Sequence, residues 1–265
     1  MSSQPHPLLA CENIRVCVPG RVLVDGLHLT LRRGEFVAVL GQNGVGKSLT
    51  LTTLAGLRSP DSGKVHVLGA DVFNAPRQLT AQRLALLAQV DEDIFPATVM
   101  DTALMGRHPH IGRFRWESAQ DYSVASDALR TMGLNEMSDR DILTLSGGER
   151  RRLAIAQVLT QAPDVYLLDE PTNHLDPHHQ MDALQTFRSA ANAGAGVIAS
   201  LHDVNLAVRF ADRCLLLFGD GRWQLGNSED VLNESQLSEL FATQMEAVSW
   251  RSRKLFVAGS DHATP

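Results

Sequence analysis

The stretch Glu35–Gly56, EFVAVLGQNGVGKSLTLTTLAG, decides how the rest of the chain is read. Glu35 to Leu40 is a short apolar run that stops at Gly41, as a strand buried on both faces does. Lys47 to Ala55 has the spacing of a helix, and Gly56 ends it. Between them, Gly41, Gly46, Lys47 and Ser48 fit the pattern G-x-x-x-x-G-K-[ST], in the strand–loop–helix setting that the pattern requires. Glycines let backbone N–H groups close around phosphate oxygens, and a helix N-terminus adds positive dipole. The phosphate-binding stretch is therefore Gly41, Gln42, Asn43, Gly44, Val45, Gly46, Lys47, Ser48 and Leu49. Lys47 is expected to reach the β- and γ-phosphates, and Ser48 to offer its hydroxyl to Mg²⁺.

Such a loop needs an acidic residue at the end of a second buried strand. VYLLDE (Val165–Glu170) supplies Asp169 as a Mg²⁺ ligand, directly or through water. Glu170 beside it is the expected general base for an attacking water, with orientation of that water as the alternative role. Two further apolar runs, GVIASLHD from Gly196 and RCLLLFGDG from Arg213, also end in polar residues. Strands separated by helical spacing predict an α/β fold with a mostly parallel sheet and its function at the strands' C-terminal ends. Arg15 to Thr30 alternates loosely around a Pro19-Gly20 turn and predicts an antiparallel β region. Between Asp91 and Thr144 the apolar spacing is helical, which predicts an inserted helical lobe. The organisation expected is thus 1–90 for the first part of the nucleotide-binding core, 91–144 for the helical subdomain, 145–220 for the second part of the core, and 221–265 for a C-terminal extension with a frayed end.

One feature does not fit a single phosphate grip. LSGGERRRLAIAQ (Leu145–Gln157) is a Ser-Gly-Gly turn running into a helix, the form of a second anion site. It stands a hundred residues downstream of the first and carries no lysine of the same kind.

Bulk composition narrows the class. The 265 residues hold 24 basic and 30 acidic side chains, a net charge of −6, which argues against nucleic acid as a broad partner. The three cysteines, Cys11, Cys17 and Cys214, lack ligand spacing and read as small buried side chains in a reducing compartment. No run approaches the roughly 18 apolar residues of a membrane span. LLAC (Leu8–Cys11) imitates a lipoprotein cleavage box, but MSSQPHP before it has neither the basic region nor the apolar stretch of a leader. A cytoplasmic chain is expected.

Taken in order, GQNGVGKS, LSGGERRR, VYLLDEPTNHLD and SLHD resemble the ATP-binding subunit of an ABC transporter, over about Ile14 to Gly221. The resemblance implies a P-loop NTPase core with an antiparallel β subdomain and an inserted helical subdomain, ATP and Mg²⁺ as ligands, and two copies packed head to tail. In that arrangement Ser146, Gly147 and Gly148 would grip the γ-phosphate of the ATP on the other copy's P-loop, which accounts for the second site. It also implies that Gln89 contacts Mg²⁺ or the attacking water, that His202 is the switch histidine at the γ-phosphate, and that Asp176 carries signals across the dimer. The chain departs from the family in one respect: no Phe, Tyr or Trp precedes Phe36, so the residue that usually stacks on adenine is missing and Val18 or a neighbour stands there. Weak base discrimination is expected, with adenine held by apolar contact and by Arg21.

Thr98 to Ser118 and HDVNLAVRFADR (His202–Arg213) look like ATPases serving iron-siderophore, haem and vitamin B12 uptake, the last being the nearest likeness. That implies import of a metal chelate through a separate permease, with a periplasmic or extracellular binding protein as indirect partner and a peripheral place on the cytoplasmic face of the inner membrane. Ile94, Phe95, Val99, Met100 and Met105 are candidates for the permease groove or for the lobe's own core. The alternative is a soluble ABC ATPase without transport. The pairs His108/His110 and His178/His179 lack a third ligand nearby in sequence and read as turn residues, not a metal site.

Overall fold

The computed structural model describes residues 7–89, 96–112, 115–251 and 253–259. Its strands are β1 (Leu9–Val18), β2 (Arg21–Leu31), β3 (Phe36–Leu40), β4 (Ser62–Val67), β5 (Ala70–Asp71), β6 (Leu84–Leu87), β7 (Val165–Leu168), β8 (Gly196–Ser200), β9 (Arg213–Leu217), β10 (Trp223–Asn227), β11 (Met245–Trp250) and β12 (Arg253–Ala258). The helices are α1 (Lys47–Leu54), α2 (Arg77–Arg83), α3 (Val99–Leu104), α4 (Ala119–Thr131), α5 (Gly147–Gln161), α6 (Pro177–Asn192), α7 (Val204–Phe210), α8 (Ser228–Val231) and α9 (Glu234–Phe241).

The central sheet has the order β10-β9-β3-β8-β7-β6; β10 is antiparallel to β9 and the other pairings are parallel. β3, β7 and β8 are buried along their whole length, which is why their sequences run apolar instead of alternating. Their side chains still divide by face. Phe36, Ala38, Leu40, Tyr166, Leu168, Val197 and Ala199 join the core that includes Leu184 and Phe187 of α6. Val37, Val39, Val165, Leu167, Ile198, Leu215 and Leu217 face the other core, with Leu51 and Leu54 of α1 and the apolar side of β1 and β2. That second layer is the antiparallel sheet β2-β1-β4-β5.

Parallel register sets the site. Leu87 pairs with Leu168, Leu168 with Ala199, and Val39 with Ser200. The residues that follow β3, β6, β7 and β8 therefore emerge together along one edge of the sheet: Gly41, Gln89, Asp169 with Glu170, and His202.

The helical lobe packs on α5. Gly106 lies so close to that helix that an added Cβ would stand 2.3 Å from Gln157 O. The Arg107 guanidinium, 2.8 Å from the Asp121 carboxylate, also donates to Thr160 O of α5. Val99 is fully buried in the lobe's own core and Met100 packs against it, whereas Met105 is exposed; Ile94 and Phe95 lie outside the described residues. The chain after Gly221 is docked as far as Gly259: Phe256 of β12 is buried in the main core, and the Asn205 side chain of α7 pairs with both its N–H and its carbonyl. The last residues, 260–265, lie outside the described set.

Candidate active site

β3 delivers the chain into a loop that only glycine can form. A Cβ on Gly41 would stand 2.5 Å from Leu217 O, and one on Gly46 would meet Leu23 at 3.1 Å. Gly44 and Gly46 have φ of 76° and 105°, left-handed values that tax any other residue. Lys47, at the first turn of α1, is buried, and its ammonium donates to Gly41 O at 2.7 Å and Gln42 O at 3.0 Å. Burial lowers its pKa, and the negative charges of Glu170 and Asp169 pull the other way. A buried cation on a glycine cradle at a helix N-terminus fits polyphosphate. The Gln42 side chain reaches Leu240 O at 3.1 Å, so the C-terminal α9 buttresses the loop.

Across the sheet edge the two acidic residues are both buried but have different side-chain partners. Asp169 is buried and accepts from the Ser200 hydroxyl at 2.7 Å, while that hydroxyl accepts from the Glu170 N–H at 2.8 Å. Glu170 turns with φ of 49°, a left-handed conformation costing a non-glycine residue on the order of 1–3 kcal/mol that its surroundings must offset. Its Oε1 lies 2.7 Å from His202 Nε2, and its Oε2 accepts from Gln89 Nε2 at 3.0 Å and from the Asn173 amide. The three residues expected to manage the attacking water thus converge on one carboxylate. Ser48, half-buried at the start of α1, and Asp169 carry hydroxyl and carboxylate oxygens of the kind Mg²⁺ prefers, and the Gln89 amide lies against the neighbouring Glu170.

The signature segment is built differently. Ser146 is the N-cap of α5: its hydroxyl accepts from Glu149 N–H, and the Glu149 carboxylate accepts from Ser146 N–H at 2.7 Å. That bond holds Glu149's pKa below the usual carboxylate value. Ser146 and Gly147 are exposed, and a Cβ on Gly147 would meet nothing within 4 Å. Among the described residues, the hydrogen bonds of Ser146 and Gly148 stay within the lobe and α5; none reaches the P-loop. Asp176 is also exposed. It caps α6 by accepting from His179 N–H at 3.0 Å, and this bond, more than the His179 ring beside it, lowers its pKa.

The family is settled by comparison with known proteins. The family model for ABC transporters matches residues 24–173, more than half of the chain. The chain belongs to the ABC transporter family. It is an ATPase of that family, and its relatives are named for import. The chain is 39% identical over 241 residues to the hemin import ATP-binding protein HmuV of Rhodopseudomonas palustris, covering 88% of this chain and 87% of that protein. To the cobalamin import ATP-binding protein BtuD of Halobacterium salinarum it is 39% identical over 215 residues, 81% of this chain and 53% of that protein. Among solved structures, a chain of a metal-chelate type ABC transporter in an inward-facing conformation superposes with a TM-score of 0.84 at 29% identity, covering 97% of this chain and 99% of that one.

Some contributors to this ABC site were not singled out in the sequence. Ser200 bridges Asp169 and Glu170, Asn173 holds Glu170 from its own loop, and Arg151 lies beneath both. Ser200 ends the strand before His202 and Asn173 lies within EPTNHLD, so both positions were in quoted stretches. Val18 is half-buried at the end of β1, and Arg21 donates to Gly219 O at 2.8 Å, next to Val45 of the P-loop. Of the paired histidines, His110 meets Gln161 O, His178 meets Asp182 and His179 meets Asp176.

Proposed function

We propose that this subunit hydrolyses ATP as a head-to-tail dimer to drive uptake of a metal chelate through a separate permease. The observation that carries the reading is the convergence of His202 and Gln89 on Glu170 at the same sheet edge as Lys47. Glu170 takes the proton of the attacking water, while His202 and Gln89 fix the carboxylate and the water's place. Lys47 holds the β- and γ-phosphates. With Mg²⁺ bound, held by Ser48, Asp169 and Gln89, the ion's charge offsets that of the phosphates. Ser146, Gly147 and Gly148 close over the nucleotide of the second copy, and Asp176 faces that copy's site. The exposed Gly147 supports this, because the chain itself packs nothing within 4 Å of where its Cβ would lie.

Relatives named for hemin import and for cobalamin import each match at 39% identity, which supports a metal chelate as the cargo class, with hemin, corrinoids and ferric siderophores as the members to test. Among the described residues no helix is long and apolar enough to cross a membrane; the relatives are named ATP-binding proteins of import systems, and this supports a separate permease as the path through the bilayer. The contact proposed for that permease is the hollow of about 290 Å³ whose apolar floor of Ala55, Leu57, Ala81, Leu84 and Leu86 is bordered by Arg77, Thr80 and Gln161, next to the lobe. Its rim residue Leu57 is 65% exposed and extends the hollow's apolar surface outward. A binding protein outside the cell would act through the permease, and the subunit would lie on the cytoplasmic face of the membrane.

The test is Glu170→Gln. ATP binding is expected to persist while turnover falls by roughly 10²- to 10⁴-fold, the worth of a positioned base. Full turnover would remove Glu170 from that role. Tagged Glu170→Gln chain with ATP should also recover a polytopic permease from native membranes; recovery of soluble partners alone would favour the non-transport ATPase.

A further inference from the structure

The run Glu149–Arg152 puts three arginines in a row on α5, and they do not share an environment. Arg150 and Arg152 are half-buried, whereas Arg151 is 3% exposed. Its Nη1 donates to Ala88 O at 2.9 Å; its Nη2 donates to Asp169 O at 2.6 Å and to Glu170 O at 2.7 Å. Its Nε is buried and has no hydrogen-bond partner among the described residues.

Burying an arginine without a direct carboxylate partner is a poor way to stabilise a helix contact, because the desolvation of the cation is large. Here desolvation lowers its pKa to about 10, against the opposing fields of Asp169 and Glu170, so the group stays charged at neutral pH. What the cation touches is specific. Ala88 precedes Gln89, and the other two carbonyls belong to the acidic pair. In an extended strand successive carbonyls point to opposite sides, but the left-handed turn at Glu170 brings those of Asp169 and Glu170 onto one nitrogen. The same guanidinium thus fixes the backbone under both Gln89 and Glu170, whose side chains meet at 3.0 Å above it.

We propose that Arg151 is a positioning residue for hydrolysis: its forked donors lock the backbones carrying Gln89 and Glu170 into one register and tie that register to α5, whose first turn carries the signature Ser146–Gly148. The proposal rests on the reading of Glu170 as the base. It gives the signature helix a direct mechanical link to the water-positioning groups of its own chain, so that engagement of Ser146–Gly148 with one nucleotide is felt at the carboxylate serving the other.

The experiment is R151Q, which removes the charge and the fork yet keeps an NH₂ donor, compared with wild type, Glu170→Gln and the double variant. ATP affinity and single-turnover hydrolysis are measured well below each melting temperature. R151Q is expected to bind ATP within about twofold of wild type while its maximal rate falls roughly 10- to 100-fold, as for a misplaced catalytic group. In the Glu170→Gln background it should add a clearly smaller loss than in wild type, since one of the two groups it positions is already gone and only Gln89 remains to be misplaced. Multiplicative losses in the two backgrounds, an unchanged rate, or parallel loss of affinity and rate would each overturn the proposal. Where R151Q does not fold, R151K keeps the charge without the fork and is held to the same comparison. Full activity in Glu170→Gln alone would sink the base reading instead, and so separates the two failures.

Discussion

The chain holds two segments proposed to grip phosphate, and they are made in opposite ways. At the P-loop, Gly41 has a carbonyl 2.5 Å from where a Cβ would lie, and Lys47 is buried against the loop's own carbonyls. At the signature, a Cβ on Gly147 would meet nothing within 4 Å and Ser146 is exposed, its hydroxyl accepting from its own helix. The first glycine is required by the fold of this chain. The second is not required by packing within the chain, which suits the proposed role of gripping a nucleotide held by another copy. An internal cradle and an outward-facing lid are what a site shared between two copies demands of each copy.

The largest expected effect separates these two kinds of glycine. Gly147→Asp should leave melting temperature and ATP binding of the isolated chain unchanged while lowering hydrolysis by at least about 100-fold, the scale of losing a preorganised donor to developing phosphate charge. Calorimetry and a phosphate-release assay measure both halves, and a stability loss would erase the contrast. Gly41→Ala should do the reverse in kind: overpacking against Leu217 O costs about 1–3 kcal/mol of folding stability, read by urea unfolding, with ATP affinity falling alongside. Ser146→Ala sharpens the signature side, since its cap on Glu149 N–H is worth about 1 kcal/mol in the same unfolding experiment.

The smallest effect concerns the platform under the signature. Asp121 is held at a pKa of about 2, chiefly by hydrogen bonds from Ser118 and then from Arg107. A depressed folded-state pKa contributes stability that is present above the unfolded value of about 3.9 and fades as pH falls through about 2. Asp121→Asn should therefore flatten the stability–pH curve between about 4 and 2, measured by thermal melts, and leave it unchanged in slope near neutrality.

The asymmetry also governs what the sequence discloses. β3, β7 and β8 were legible because a strand covered on both faces has nowhere to put a polar residue, and the P-loop because its glycines are compulsory. Asp169 and Glu170 could be placed from the end of a second buried strand, whereas Gln89 and His202 were placed only by the family resemblance; parallel register is what brings all four to one edge. β4 and β5 were not picked out, because Ser62, Gly63 and Lys64 are exposed and break the alternation. The stapling of β12 to α7 through Asn205, and of Gln42 to Leu240, joins residues about fifty and two hundred positions apart and leaves no local pattern. Arg151 was hidden in a charge run that reads as a solvated face. The available signal was its helical spacing to Ile155 and Val158, which puts it on the buried stripe of α5.

The central claim is that each half of the molecule's ATP site lies on a different copy. It is tested most directly by light scattering of the Glu170→Gln chain with and without ATP and Mg²⁺. The expected result is a shift from 28.9 kDa to twice that mass on adding nucleotide, with Gly147→Asp in the same background remaining at the lower value. A chain that binds ATP and stays at 28.9 kDa, or a Gly147→Asp chain that doubles its mass equally well, would contradict the shared site.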